Sequence, residues 1–190
     1  LAEATVSEHG KLDVLVNNAA ILMTYTIETS STEDYKRMME VNSTSVFLGM
    51  KFLLDALKKS NAASIINISS SSALAGYPHF IAYGAAKAGL LNVTKSLAME
   101  WGPKIRVNAL IVGLVHNEAG VEHYGGEAGF KRVADMLPLK RMASPDDVAN
   151  AVLLMCSDRA AYISGANLEV DGGGEVPVFL HLASESSKAK

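Results

Sequence analysis

The chain has 190 residues, which is enough for one domain with a substantial buried core. Charged residues make up 19% and the formal net charge is −3, which argues against a nucleic acid or an anionic membrane surface as partner. The single cysteine, Cys156, cannot form an intramolecular disulfide, and no apolar run is typical of a membrane span. We therefore expect a cytoplasmic protein that acts on small molecules.

The chain opens within a helical segment. Residues 1–9 read as the last turns of a helix, and Gly10 stands where a glycine commonly ends one. Because the first residue is Leu1 and the first element is incomplete, we expect the chain to be part of a longer protein.

Four short runs are predicted to be strands, at residues 13–16, 64–68, 105–112 and 167–171, and the first two are predicted to be buried parallel strands. Helices are predicted between them, over residues of about 31–59, 78–100 and 145–157. The third has the clearest start, with Ser144 as N-cap, Pro145 after it and Asp147 three residues later. This alternation predicts one α/β domain with a parallel sheet, and ligands should bind at the carboxyl ends of its strands.

Residues 114–137 interrupt the pattern, because glycines are scattered through them and their periodicity is weak. We interpret this segment as a mobile lid over a site, and a disordered insertion is the alternative. The polar residues 180–190 are expected to form a flexible tail.

Tyr83 and Lys87 are the first candidates for chemistry. They lie four residues apart on a predicted helix, so their side chains share a face. A tyrosine with its ordinary pKa of about 10 is a poor base, but a nearby cation favours the phenolate and lowers that pKa. Such a tyrosine can exchange a proton with an alcohol or carbonyl oxygen. The spacing alone is common, and most such pairs are merely solvated.

Ser70 follows a predicted strand and precedes Tyr83 by thirteen residues. A hydroxyl group there can hold a substrate oxygen, although the residue types alone do not distinguish it from the neighbouring serines of a polar turn. Asn42 lies inside a predicted helix, where asparagine competes for backbone hydrogen bonds. It indicates either a local kink or bound water, or a side chain that simply faces solvent.

Residues 17–20, Asn-Asn-Ala-Ala, close the first predicted strand with two amides and two small side chains. That composition suits the close approach of a flat ligand such as a nucleotide, and an ordinary turn explains it equally well. No spacing of histidine, cysteine and carboxylate residues indicates a metal site.

Taken in order, these segments resemble the classical short-chain dehydrogenases/reductases. The resemblance runs from residue 1 to about residue 174 and rests on Asn17-Asn18-Ala19-Ala20, Asn42, Ile66-Asn67-Ile68-Ser69-Ser70, Tyr83-Gly84-Ala85-Ala86-Lys87, Arg106-Val107-Asn108-Ala109 and Val170-Asp171-Gly172-Gly173. It implies a Rossmann-like doubly wound parallel sheet and hydride transfer between NAD or NADP and a secondary alcohol or ketone.

The resemblance also implies a role for each matching residue. Tyr83 would be the general acid/base and Ser70 would orient the substrate oxygen. Lys87 would lower the pKa of Tyr83 and bind the nicotinamide ribose, and Asn42 would hold a water linked to Lys87. The cofactor contacts implied are Asn17, Ala19, Tyr83, Lys87, Val115 and Asn117.

Two departures from the family pattern are visible. No glycine-rich phosphate-binding turn precedes Asn17, so the N-terminal βαβ portion is expected to be missing, roughly 60–90 residues at about 30 per βαβ step. That turn brings the backbone to the cofactor's pyrophosphate, so the isolated chain is expected to bind cofactor weakly or not at all. After the third strand, Asn117 stands where the family usually has threonine.

The leading hypothesis is therefore a dehydrogenase/reductase, and the alternative is a non-catalytic scaffold or partner-binding protein with the same fold. The joint presence of Asn42, Ser70, Tyr83 and Lys87 favours the enzyme. The mixed lining expected from segment 114–137 suggests a moderately apolar substrate, with a cyclic one as the candidate; the residues are Leu114, Val115, His116, Tyr124, Phe130 and Met136. The resemblance, together with small residues near Ala85, further implies a homodimer or homotetramer.

Overall fold

The computed structural model describes residues 2–177, and it has one four-stranded parallel sheet. The strands lie in chain order, β1-β2-β3-β4, and comprise Val14–Asn17, Ala63–Ser70, Ile105–Val112 and Asn167–Val170. The predicted parallel α/β, Rossmann-like fold is thereby confirmed. The tail predicted at residues 180–190 lies outside the described residues.

Seven α-helices connect and cover these strands within residues 2–177. They are α1 (Ala2–His9), α2 (Thr32–Met39), α3 (Ser45–Lys58), α4 (Ile81–Trp101), α5 (Val121–Tyr124), α6 (Gly126–Met136) and α7 (Pro145–Cys156). α1 ends at Gly10, whose φ of 73° is the left-handed conformation that favours glycine, as predicted. α7 begins with the predicted capping box, in which Ser144 and Asp147 exchange hydrogen bonds.

The core consists of two apolar clusters, one on each face of the sheet. On one face Ile65 and Val107 pack against α3 and α4 through side chains such as Met50 and Leu90. On the other face Ile66, Leu110 and Val112 pack against Met155 of α7. Each fully buried aliphatic side chain contributes about 1.5–3 kcal/mol. β2 and β3 are therefore the most firmly held strands, and they carry the site.

β1 lies at the edge of the sheet and, among the described residues, pairs with β2 alone. Its residues Val14 and Val16 are 40% and 39% exposed, although the sequence of the strand is apolar on both faces. An apolar strand with an open edge is a site of association.

The long helix predicted at residues 31–59 is interrupted. α2 and α3 are separated by one π-helical stretch, Glu40–Thr44, and Asn42 lies within it. Asn42 is completely buried, so the solvent-facing alternative is wrong and the predicted local distortion is correct. The Ser31 side chain caps the start of α2 by accepting from the Asp34 backbone N–H.

Residues 114–137 are more regular than their sequence suggests. They form a short turn followed by α5 and α6, and Phe130 packs with Leu137 and Met142 in a third, smaller apolar cluster. We call residues 114–143 the cover. Gly129 of α6 lies against the Tyr124 carbonyl group, where a Cβ atom would overlap it. The glycines that weakened the helical pattern are thus partly a packing requirement.

Candidate active site

A cavity of about 1170 Å³ opens at the carboxyl ends of β1, β2 and β3. Ligand pockets usually measure about 300–1,000 Å³, so this cavity has room for a large cofactor together with a small substrate. Five of the sequence-predicted site residues line it: Ser70, Tyr83, Lys87, Val115 and Asn117. The other three, Asn17, Ala19 and Asn42, are not among its lining residues; Asn18 and Ala20 line it instead.

Tyr83 lies in the first turn of α4, close to the end of β2. Burial raises its pKa above the ordinary value, and a hydrogen bond with the Ser70 side chain lowers it by a smaller amount. The expectation that Lys87 would lower this pKa is therefore not met. In this arrangement the phenol stays protonated at neutral pH.

Lys87 lies near the phenol and is itself buried. Its side chain is only 2% exposed, and Nζ donates to the Ile68 carbonyl oxygen at 2.8 Å. The same atom lies 5.7 Å from the centre of the Tyr83 ring. Burial lowers the pKa of Lys87 to about 8, because a dry environment disfavours the charged form. A lysine with this pKa is still mostly protonated at neutral pH, so burial of the phenol itself, and not loss of the Lys87 charge, raises the pKa of Tyr83.

The serines after β2 have different surroundings. Ser69 is 2% exposed and donates to the Lys87 carbonyl oxygen at 2.9 Å, which joins β2 to α4. Ser70 accepts from the Ser72 backbone N–H at 3.2 Å, and its hydroxyl group lies 3.3 Å from that of Ser72. Of the serines after β2, Ser70 is the one whose side chain lowers the pKa of Tyr83, which distinguishes it as the residue types alone did not.

Asn17 takes part in a polar chain that crosses the sheet. Its Nδ2 donates to Asn67 Oδ1 at 2.8 Å, and Asn67 Nδ2 donates to Thr94 Oγ1 at 2.9 Å. Asn67 and Thr94 are both completely buried. The chain links β1, β2 and α4, so Asn17 holds the end of β1 beside the cavity.

Asn42 holds the segment after β1 in place through hydrogen bonds to the backbone. Its Oδ1 accepts from the Ile21 N–H at 3.1 Å, and its Nδ2 donates to the carbonyl oxygens of Ile21 and Met38 at 2.9 and 3.0 Å. Among the hydrogen bonds of the described residues, none joins Asn42 directly to Lys87. Asn42 thus fixes the backbone that leads from the Asn-Asn-Ala-Ala turn into the cavity wall.

The far side of the cavity comes from the chain after β3. Gly113 passes so close to Asp171 that a Cβ atom would lie 2.8 Å from that side chain, which explains the glycine. Val115 pairs with Ala143 in a parallel bridge. Asn117 Oδ1 accepts from the Gly120 N–H at 2.9 Å, so its amide nitrogen is the group suited to donate to a ligand.

Sequence reasoning missed Tyr77 and Glu175, which also line the cavity and are joined by a hydrogen bond of 3.0 Å. They are 98 residues apart, and no local pattern connects them. The predicted apolar lining is correct for Leu114, Val115 and Tyr124. It is wrong for His116, Phe130 and Met136, which are not lining residues; Phe130 is buried inside the cover and Met136 is exposed.

Neither a membrane span nor a metal cluster is found within residues 2–177. No helix in this part of the chain is both long and apolar enough to cross a bilayer. No group of three or more histidine, cysteine, aspartate or glutamate residues described there could hold a metal ion.

The family model and the sequence relatives that match this chain point to one family of oxidoreductases. Residues 1–175 match the family model described as enoyl-(acyl carrier protein) reductase. The trans-4-hydroxycyclohexanecarboxylate dehydrogenase of Sinomonas cyclohexanicum is 40% identical over 90% of this chain and 63% of its own length. The 3-alpha-(or 20-beta)-hydroxysteroid dehydrogenase of Mycobacterium bovis is 40% identical over 90% of this chain and 64% of its own length. The chain thus spans less than two thirds of these relatives.

Solved structures agree with the sequence relatives. A short-chain dehydrogenase/reductase of Brucella melitensis, titled glucose/ribitol dehydrogenase, superposes with a TM-score of 0.86 at 27% identity, over 93% of this chain and 70% of its own. ElxO with NADP bound gives 0.81 at 29% identity, over 90% and 70% of the two chains. The chain therefore belongs to the classical short-chain dehydrogenase/reductase family.

Proposed function

We propose that the protein transfers a hydride between NAD(P)(H) and a secondary alcohol or ketone. The observation that carries this proposal is the meeting of Ser70, Tyr83 and Lys87 in the wall of one cavity, with Lys87 Nζ 5.7 Å from the centre of the Tyr83 ring. Their position at the carboxyl ends of parallel strands is where ligands bind in such sheets.

Tyr83 is the proton-transfer group of the proposed reaction. In reduction it donates its phenolic proton to the carbonyl oxygen while the carbonyl carbon receives the hydride; in oxidation it accepts the alcohol proton. Its raised pKa keeps the proton available near neutral pH, which favours donation. Ser70 holds the substrate oxygen beside the phenol.

Lys87 is proposed to bind the nicotinamide ribose and to relay protons to Tyr83, with Asn42 holding a water that links Lys87 to solvent. A lysine with a pKa of about 8 can gain or lose a proton near neutral pH, which suits a relay. The nicotinamide group supplies the hydride donor or acceptor. Further cofactor contacts are proposed for Asn17, Ala19, Val115 and Asn117.

The cavity fits a dinucleotide in size, and the small residues Ala20 and Gly113 allow a flat ring to approach its wall. ElxO carries NADP in a related fold, which supports a nicotinamide dinucleotide without deciding between NAD and NADP.

A cyclic secondary alcohol is the proposed substrate. The relatives named above are dehydrogenases of a hydroxycyclohexanecarboxylate and of hydroxysteroids, which are cyclic alcohols. Leu114, Val115 and Phe80 give the cavity apolar surface against which a ring can pack. The cover is proposed to act as a lid over this end of the cavity.

A homodimer or homotetramer is also proposed. α3 and α4 expose large apolar side chains, Phe47 at 51%, Phe52 at 76% and Met99 at 73%. An exposed apolar surface of this kind is typical of a protein interface. The proposed setting remains the cytoplasm.

The test uses the protein made from its full coding sequence. We expect it to bind NADH or NADPH, measured by nicotinamide fluorescence, and to oxidise cyclohexanol or cyclopentanol with production of the reduced cofactor. Ser70→Ala should lower kcat/KM at least about 100-fold, as loss of a group that stabilises the transition state does. The matched change Ser72→Ala, in the same turn, should lower it less than about fivefold, since Ser72 lacks the Tyr83 contact.

A protein that binds neither cofactor and turns over no alcohol would instead support the non-catalytic scaffold. Equal losses in Ser70→Ala and Ser72→Ala would remove Ser70 from its specific role.

A further inference from the structure

Tyr77 and Glu175 form a hydrogen-bonded pair in the wall of the cavity. Tyr77 follows the short helical turn Ser71–Ala73, and Glu175 follows the glycine run after β4. The Tyr77 hydroxyl group donates to Glu175 Oε1 at 3.0 Å. Both residues line the catalytic cavity and also an adjoining cavity of about 200 Å³. The pair therefore lies between the catalytic cavity and the smaller adjoining cavity.

A row of aromatic rings connects this pair with the catalytic tyrosine. The ring centres of Tyr77 and Phe80 are 6.1 Å apart, and those of Phe80 and Tyr83 are 6.2 Å apart. A ring substrate whose reacting oxygen lies at Tyr83 can pack along Phe80. A substituent on the far side of that ring then points towards Tyr77 and Glu175.

The charge at this end of the cavity is negative. Burial raises the pKa of Tyr77, and the Glu175 carboxylate raises it further against the opposing effect of a hydrogen bond with Ser71. Burial and the same carboxylate raise the pKa of Tyr124. Both phenols therefore keep their protons at neutral pH.

Among the described residues that line the two cavities, Lys87 is the one cationic side chain, and Glu175 and Asp171 are the carboxylates. Lys87 Nζ is bound to the Ile68 carbonyl oxygen, and neither carboxylate forms an ion pair with it. An ionised carboxylate accepts hydrogen bonds and donates none. A substituent at this end should therefore be a hydrogen-bond donor without negative charge.

We infer that Tyr77 and Glu175 form a substrate-recognition subsite that selects a neutral alcohol bearing a second hydroxyl group and disfavours a carboxylate there. The inference rests on the proposed function and names its substrate class. Glu175 accepts the hydrogen of the second hydroxyl group, and Tyr77 positions the Glu175 carboxylate. A substrate carboxylate at this place meets a like charge.

The test compares three probes on the full-length protein: trans-1,4-cyclohexanediol, cyclohexanol and trans-4-hydroxycyclohexanecarboxylate. In the wild type we expect kcat/KM to decrease in that order. Glu175→Gln should raise the ratio of kcat/KM for the hydroxy acid to that for cyclohexanol about tenfold, as removal of one like charge a few ångströms away does. Glu100→Gln, which removes an exposed carboxylate of α4 outside both cavities, is the control and should leave the ratio unchanged.

Salt gives an independent readout, because it screens charge–charge repulsion. Raising the ionic strength should increase the relative kcat/KM of the hydroxy acid in the wild type and have little effect on it in Glu175→Gln. Tyr77→Phe should raise KM for the diol relative to cyclohexanol several-fold while the ratio of their kcat values stays the same. Tyr162→Phe, at a fully exposed tyrosine, is its control.

The possible failures are distinguishable. If no probe is oxidised, the proposed function fails. If cyclohexanol is oxidised but Glu175→Gln leaves the hydroxy-acid ratio within twofold of wild type, the subsite is wrong and the proposed function stands.

Discussion

The floor of the cavity and its cover are built in different ways. The floor consists of β2, β3 and α4, where Asn67, Ser69 and Lys87 are buried and hydrogen-bonded across elements. The cover rests on a smaller cluster around Phe130 and contributes apolar lining such as Leu114 and Tyr124. The proposed proton-transfer groups thus lie on the rigid part, and the cover adds apolar surface for the substrate from the separately packed part. The Tyr77–Glu175 pair lies outside the cover. The apolar contacts made by the cover can then change without changing the chemistry.

The largest expected difference between the two regions is in stability. Leu110→Ala, in the completely buried centre of β3, should lower the free energy of unfolding by about 2–5 kcal/mol, as large-to-small changes in cores do. Met142→Ala, in the cover cluster, should cost less than about 2 kcal/mol, because that cluster can loosen without unfolding the sheet. It should also raise KM for the alcohol.

Denaturant unfolding and steady-state kinetics check both variants. Equal losses of stability, with KM unchanged in Met142→Ala, would show that the floor and the cover unfold as one unit. The structural distinction between the two regions would then be wrong.

A smaller effect concerns the pH dependence of the floor. Burial lowers the pKa of Lys87 to about 8 in the folded protein, whereas an unfolded chain keeps the ordinary lysine value of about 10.4. Between these values the unfolded chain binds more protons, so stability rises with pH from about 8 to 10; below pH 8 the cost of burying the charge is fully present. Relative to Lys87→Met, the wild type should gain roughly 2–3 kcal/mol over this interval.

Chemical denaturation at a series of pH values measures this difference directly. Parallel stability curves for the two proteins would mean that Lys87 keeps its ordinary pKa, and its proposed part in relaying protons near neutral pH would be wrong.

The strands and the start of α7 were predictable because their signals are local. Four apolar runs ending in polar or glycine-rich turns are sufficient to indicate a parallel sheet, and Ser144 with Asp147 marks a helix start through contacts three residues apart. α6 was missed because Gly125, Gly126 and Gly129 hide its pattern. One of them is there for a contact with Tyr124 that the sequence does not display.

The nearness of Tyr83 and Lys87 was predictable because one helix sets their spacing, whereas Ser70 was selected among its neighbours by the family resemblance alone. The pKa shifts of the site residues were not predictable from the sequence. The pKa of Tyr83 depends on burial, and burial depends on how α4 packs on β2. The partner of Asn17 is 50 residues away and that of Tyr77 is 98 residues away. Such pairs form only when separate crossovers bring strand ends together.

Proton transfer by Tyr83 is tested most directly by Tyr83→Phe, because this change removes one hydroxyl group and keeps the ring. In the full-length protein we expect kcat for cyclohexanol to fall about 100- to 10,000-fold. The Kd for NADH or NADPH, measured by nicotinamide fluorescence, should stay within about twofold of wild type, because the ring still packs against Phe80. A variant that retains more than about a tenth of wild-type kcat would contradict the account, because that loss is far below what a general acid/base contributes.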